Sequence, residues 1–300
     1  MKIESASAGH TIALITVVIW GVTFVSTKML LEDFTPLEIL VFRFGIGFTA
    51  LSLLYPHFSK NRNKQLELMF AGAGLCGVTL YFLFENIALT YTLITNVAII
   101  VSLAPFFTAM LSRIFLKEKL NKMFFVGFAV AMIGVVLISF NGNVEFEMNL
   151  TGDLLSVFAA LAWAFYMVFM RKIGETEKNT IQNTRRAFFY GLLFMIPAML
   201  FLPFDLDLGR FVDSENVFNI LFLGLGASAM CFVSWNTALK VLGAAKTSVY
   251  IYLIPAVAIV FAALVLDETI TIMAVCGAIL TIAGLVISEK KVEKTPHTEC

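Results

Sequence analysis

The sequence predicts an all-α integral membrane protein: ten transmembrane helices arranged as two inverted five-helix repeats. Composition, the number of apolar spans and an internal repeat carry that expectation. Of 300 residues, 59% are apolar and 14% charged, and phenylalanine alone supplies 30. Mean hydropathy is +0.89. Soluble domains carry about a quarter charged residues. One soluble core of this length cannot hide so much apolar surface, so lipid must cover it. The formal charge of +0 leaves no whole-protein field for nucleic acid. Cys76, Cys231, Cys276 and Cys300 show no paired spacing, and His10, His57 and His297 form no H-E-x-x-H pattern. Neither a metal site nor a cofactor is expected.

A helix crossing the bilayer needs about 20 mainly apolar residues. Ten stretches meet that ruler: 11–31, 36–56, 67–91, 94–116, 122–140, 151–171, 184–203, 217–239, 246–266 and 271–288. Lipid offers no hydrogen-bond partners, so each span must satisfy its own backbone, and helix is the reading. The first stretch is too long for a signal sequence and has no clear cleavage site. Basic residues set the orientation. One side takes Lys2, the 57–66 loop, the end of span 4, the 172–183 loop, the 8–9 link and the tail. That side gathers all of the 21 Lys and Arg residues except Lys28 and Arg43, read as outer helix ends, and Arg210 in the acidic 204–216 loop. The positive-inside rule then places both termini in the cytoplasm.

The chain also repeats itself. At an offset of 150, Gly74 aligns with Gly224, Asn86 with Asn236, Pro105 with Pro255, Glu118 with Glu268, Gly127 with Gly277 and Gly134 with Gly284. Earlier in each half the offset is 143, pairing Trp20 with Trp163, Lys28 with Arg171 and Arg43 with Arg186. A single insertion in the 204–216 loop accounts for the difference. Residues 11–140 and 151–288 are therefore read as two five-helix repeats, followed by a cytoplasmic tail at 289–300. With five helices each, the second must enter the membrane inverted. Inverted repeats are typical of secondary transporters, whose substrate site lies near the midplane between halves that rock.

The duplicated motifs resemble a known family. Asn86-Ile87-Ala88-Leu89, Pro105, Leu116-Lys117-Glu118, Gly127 and Gly134 recur as Asn236-Thr237-Ala238-Leu239, Pro255, Leu266-Asp267-Glu268, Gly277 and Gly284. With a tryptophan in the first helix of each half, the chain is similar to EamA-type members of the drug/metabolite transporter superfamily. That resemblance implies a ten-helix plasma-membrane carrier, commonly an exporter of amino acids or other small metabolites. It implies no particular substrate.

Several residues are candidates to line the substrate path. Glu85 is a carboxylate inside span 3, where charge is expensive and marks function by default. It could bind a substrate amine, carry a coupling proton, or pair with Lys28 or Arg43. Asn86 and Asn236 occupy equivalent positions and can either touch substrate or join helices. Asn96 begins span 4, opposite Lys246 in the repeat. Trp20, Thr23 and Thr27 share one helix face, and Trp163, Tyr166 and Met170 repeat that spacing. Such faces can line a cavity or simply pack. Tyr81 and Tyr250 are read the same way. Pro105 and Pro255 fall mid-span, where a bend would free carbonyls along a substrate route. Glu118 and Glu268 precede Asn121 and Thr271, which read as helix N-caps. Gly72-Ala73-Gly74-Leu75-Cys76-Gly77 fits a dinucleotide fingerprint but lies within an apolar span, so close helix packing is the reading.

The functional expectation is a secondary transporter exporting a small amphipathic metabolite. Its partners would be that substrate, membrane lipid and, as a candidate coupling ion, the proton. The alternative within transport is an organic-anion or sugar-phosphate exchanger, which needs Lys246, Arg186 or Lys28 facing the cavity. A membrane-embedded enzyme requires converging catalytic groups, and one glutamate without an intramembrane histidine is a poor start. The topology is testable. In a cysteine-free background, Asn61→Cys should label only from the cytoplasm and Asn143→Cys only from outside. Labelling of both from outside in intact cells would refute the orientation or the count.

Overall fold

The computed structural model describes residues 5–56, 63–91, 97, 100–140, 149–265 and 271–289, and no strand occurs among them. They form ten helical paths. The first half holds α1 (Ala6–Leu30), α2 (Pro36–Leu54), α3 (Lys64–Gly74, Leu75–Leu80 and Tyr81–Tyr91), α4 (Ala104–Leu111 and Ser112–Leu116) and α5 (Lys122–Phe140). The second holds α6 (Leu150–Thr176), α7 (Thr180–Ala198), α8 (Ser214–Leu221, Phe222–Met230 and Cys231–Leu242), α9 (Ala244–Ser248, Val249–Tyr252 and Leu253–Val265) and α10 (Ile272–Glu289). Five stretches are long and apolar enough to cross a bilayer: Ala6–Thr27, Pro36–Leu54, Lys64–Ala88, Leu150–Thr176 and Ser214–Leu242. Shorter apolar helices run over Ala104–Leu116, Lys122–Leu137, Ala244–Val257 and Ile272–Ser288.

Helix starts follow the sequence locally. Thr35 and Glu38 form a reciprocal capping box at α2, with Pro36 in the first turn. Asn149 caps α6, Asn121 caps α5 and Thr271 caps α10. The start of α7 differs from expectation. It begins at Thr180 rather than 184, behind an Asn179 cap. Hydropathy misses the first turn because Gln182 and Asn183 are polar, yet both are buried inside the protein, as are Thr184 and Arg185 after them.

Contacts across the bundle fix its two ends. One end, here the near end, gathers the starts of α1, α3, α7 and α9 and the ends of α2, α4, α6 and α8. Gly9 meets Leu242 there, Arg185 donates to the Tyr55 carbonyl, and Glu118 meets Ala244. At the far end the α1–α2 loop touches the α7–α8 loop, through Thr35 with Pro203 and Asp33 with Asn216.

The α5–α10 pair packs most extensively. The two helices cross antiparallel on glycines. A Cβ on Gly127 would lie 2.4 Å from the Gly284 carbonyl oxygen, and one on Gly134 would lie 2.6 Å from that of Gly277. Small residues allow this approach, which van der Waals contact in lipid rewards. Elsewhere α1 packs on α8 and α9, while α6 packs on α3 and α4; α2 packs on α8, while α3 packs on α7. Gly74 and Gly77, in the rejected fingerprint, lie against α7 and the Tyr166 ring.

The α5–α10 crossing generates a stability prediction. Gly284→Ala puts a methyl 2.5 Å from the Ala131 nitrogen, and such overpacking costs about 1–3 kcal/mol. Gly45 has nothing within 4 Å of the same position, so Gly45→Ala should gain about 0.5–1 kcal/mol of helix propensity. Melting of the two purified variants should move in opposite directions.

Candidate functional site

The chain's three tryptophans meet at mid-depth between α1, α6 and α8. Trp20 lies 5.5 Å from Trp163 and 5.0 Å from Trp235, ring centre to ring centre. Phe232 packs edge-on against Trp20, Phe44, Tyr166 and Phe188. This is an aromatic layer, and edge-to-face geometry suits the ring quadrupoles. The indole N–H groups have different fates. Trp20 Nε1 donates to the Ala227 carbonyl at 3.0 Å, within the wide π-type turns of Phe222–Met230. Trp235 Nε1 meets Met167 Sδ at 3.1 Å. Trp163 Nε1 is buried and has no protein partner among the described residues.

Polar groups flank the aromatic layer on both sides. Toward the near end, the Tyr166 hydroxyl donates to Asn236 Oδ1 at 2.9 Å, and Asn236 Nδ2 donates to Thr184 Oγ1 at 3.0 Å. Toward the far end, the Tyr81 hydroxyl donates to Glu85 Oε1 at 3.1 Å. Arg43 shares that side. Its Nε donates to Ser228 Oγ at 3.0 Å, and its guanidinium lies 4.7 Å above the Phe82 ring and 5.3 Å from that of Phe44. Arg43 and Glu85 are within electrostatic range of each other but form no ion pair.

Of the residues singled out from sequence, Trp20, Trp163, Tyr166, Tyr81, Glu85 and Asn236 converge here. Asn86 is buried next to Glu85 in the chain. Thr23 turns its hydroxyl back onto the Trp20 carbonyl. Tyr250 lies farther toward the near end, sharing a 2.6 Å hydrogen bond with His10. Asn96 and Glu268, like the side chain of Lys28, lie outside the described residues. Pro105 stands in the first turn of Ala104–Leu111, and Pro255 in that of Leu253–Val265. A turn at 102–103 precedes Pro105 and the tighter turns of Val249–Tyr252 precede Pro255, so both paths are irregular just ahead of the proline. The cations named for an exchanger stand elsewhere: Lys246 is exposed, and Arg186 is paired with Glu67.

Sequence reasoning missed Arg43, Ser228, Phe232 and Trp235. Arg43 was placed at a helix end, although it falls seven residues into α2, about 10 Å along the axis. That depth was the available signal.

Each end of the bundle is tied between halves. At the far end, Glu38 is fully buried and accepts two bonds from Arg210, at 2.9 and 3.2 Å, plus the backbone N–H groups of Thr35 and Asp205. Hydrogen bonding to Glu38 holds the Arg210 guanidinium above its usual value, in the loop outside the spans. At the near end, Glu118 accepts the Ala244 and Ala245 N–H groups at 3.0 and 3.1 Å, with Arg171 at 3.8 Å. Gly243, at φ 91°, makes that turn possible.

A bundle of apolar helices tied at both ends around a buried polar and aromatic layer defines a multi-pass membrane protein. The chain belongs to the EamA-like transporter family, whose model matches residues 7–140 and 150–289. It is 30% identical to an uncharacterized transporter of Archaeoglobus fulgidus, over 92% of this chain and 97% of that protein. It is 28% identical to a probable amino-acid metabolite efflux pump of Escherichia coli, over 92% of this chain and 93% of that one. A probable terminal-alkyne amino-acid exporter of Streptantibioticus cattleyicolor is 25% identical, with 93% and 92% covered. A protein of known crystal structure, 18% identical, superposes with a TM-score of 0.80 over 95% of this chain and 97% of its own. Family and relatives point to transport rather than enzymatic chemistry.

The far-end clasp is testable. Arg210→Ala strips a buried carboxylate of its cation, and breaking such a pair costs about 3–5 kcal/mol. Thermal melting of the purified variant should fall accordingly, while a control at exposed Lys178, Lys178→Ala, should change little.

Proposed function

We propose that this protein is a secondary transporter of the plasma membrane that exports small metabolites such as amino acids by alternating access. The single observation that carries the reading is a buried layer of aromatic and polar side chains at mid-depth, between two ends that are each tied by a carboxylate. Lipid cannot reward such a layer, so a solute that crosses it is the economical explanation. The names of two relatives, a metabolite efflux pump and an amino-acid exporter, support the direction and the substrate class.

The two halves, 11–140 and 151–288, serve as inverted repeats in this reading. Support comes from the contact pattern. Replacing each helix by the one five positions away turns the α1–α8 contact into α6–α3, α1–α9 into α6–α4 and α2–α8 into α7–α3. Gly127 meets Gly284 and Gly134 meets Gly277, which is how a pseudo-twofold axis pairs equivalent residues. Both termini then face the cytoplasm, and the far end faces outward. Opening would release the Glu38–Arg210 clasp on one side or the Glu118 clasp on the other. Pro105 and Pro255, just after irregular turns, are the points where the paths bend. Glu85 holds the amine of a substrate or a coupling proton.

Counterflow in proteoliposomes with a panel of labelled amino acids tests the reading. The wild-type protein should exchange at least one member without ATP. Glu85→Gln keeps the side chain's shape and removes its charge; flux should fall at least tenfold or lose its pH dependence, with melting preserved. Absence of flux for every panel member from folded protein would overturn the transport of amino acids. Normal flux of Glu85→Gln at every pH would remove Glu85 from the path.

A further inference from the structure

Arg43 and Arg186 occupy equivalent positions in the two halves, and their surroundings have diverged. Arg186 has a carboxylate: it pairs with Glu67, which also accepts the Tyr190 hydroxyl at 2.7 Å. Arg43 is buried to 4% exposure, yet its described contacts are one serine hydroxyl and two phenyl faces, and Glu85, though within electrostatic range, makes no ion pair with it. A buried guanidinium carries five N–H donors, and its charge is costly unless an anion meets it. Here one donor, Nε, is used in a described hydrogen bond.

A neighbouring group has an unmet donor. Trp163 is 4% exposed and its Nε1–H has no partner. The two groups belong to one cluster. The Trp163 ring lies 5.0 Å from that of Tyr81, Tyr81 lies 4.8 Å from Phe82, and Arg43 sits over Phe82. Glu85 completes the arrangement through its bond from Tyr81. Fixed positive and negative poles therefore stand on the same side of an aromatic layer.

We infer that Arg43 is the anchor for a substrate carboxylate, with Trp163 Nε1 as an additional donor, and that Glu85 faces the ammonium of the same molecule. This rests on the transport reading above and names the class of solute: a zwitterionic α-amino acid with an apolar side chain. The carboxylate suits the planar fork of a guanidinium. The side chain would pack against the face of the aromatic layer, whose Trp20, Trp163 and Phe232 rings already touch one another. A phosphate ester fits worse, because its second negative charge would stand beside Glu85 with nothing to offset it. A simple amine would leave Arg43 unmet.

The tryptophans make the site its own reporter, since all three lie in the layer. Intrinsic fluorescence of the purified full-length protein would be titrated with leucine, leucinamide and N-acetylleucine. Wild type should bind leucine roughly ten- to hundredfold more tightly than either derivative, the range for a charge-assisted hydrogen bond. Arg43→Gln should erase the preference for leucine over leucinamide and keep that over N-acetylleucine. Glu85→Gln should do the reverse. A merely structural arginine would weaken all three ligands together. If Arg43→Gln does not fold, Arg43→Lys keeps the charge without the fork, and its leucine preference should shrink several-fold. Equal binding of leucine and leucinamide by wild type, or an intact preference in either folded Arg43 variant, would overturn the inference. Leucine counterflow alongside separates the two readings. Exchange of leucine without carboxylate selectivity leaves transport standing and removes Arg43, whereas no exchange of any amino acid removes both.

Discussion

Hydrocarbon solvates no polar atom, and most of this structure follows from that constraint. Every N–H, carbonyl, hydroxyl and charge placed between the two ends must find its partner inside the protein or meet a solute there. The helical backbone meets the demand locally. Many hydroxyls do so as well, by bonding back to a carbonyl three or four residues earlier, as Thr16, Thr49, Ser52 and Ser156 do. Others are spent joining helices: Thr79 donates to the Gly191 carbonyl at 2.9 Å, and Asn236 bridges α6 to α7. Among the described residues, the buried side-chain atoms left without a hydrogen bond include Trp163 Nε1, Thr108 Oγ1, Ser112 Oγ and the Tyr252 hydroxyl, and Trp163 shares its layer with the charges of Arg43 and Glu85.

The wide turns in α3 and α8 belong to the same logic. They fall over Leu75–Leu80 and Phe222–Met230, equivalent stretches of the repeat. π-type turns loosen the regular ladder and are frequent at functional sites. In α8 the turn carries both Ala227, whose carbonyl accepts Trp20 Nε1, and Ser228, which accepts Arg43 Nε. The first helix of the chain and the buried cation are therefore held by one irregular segment of the second half. A straight α-helix there would turn these groups away from the layer.

Much of the architecture was legible in the sequence, because the constraint writes itself into composition. Apolar stretches of the right length, punctuated by the caps at Asn121 and Thr271, give the helices. Glycines repeated at 127, 134, 277 and 284 mark the α5–α10 crossing. What hydropathy could not register is burial against protein rather than lipid. The first turn of α7 reads as loop because Gln182 and Asn183 are polar, although each is enclosed. For the same reason Arg43 read as a helix-end cation. Pattern also could not tell which of several tryptophan and tyrosine residues meet: Trp235 carried no signal beyond its type, and Tyr250 joined His10 instead of the layer.

In the proposed reading, divergence between the halves is what gives the scaffold a direction. Helix positions repeat, but Glu85 is matched by Trp235, Tyr81 by Cys231 and Tyr166 by Thr23. One side of the layer therefore carries an acid and an unpaired arginine, and the other a neutral Tyr166–Asn236–Thr184 chain. A solute held by charge on one side and only by neutral hydrogen bonds on the other meets unlike surroundings as each end opens. In the proposed reading the two halves supply two related ways to open, because the glycine crossings recur, whereas the far-end clasp does not, since Glu38 is matched by Ile181. Residues that depart from the symmetry make the two openings chemically distinct. Selectivity in such a protein is thus expected to reside at positions where the repeat fails, while its mechanics reside where the repeat holds.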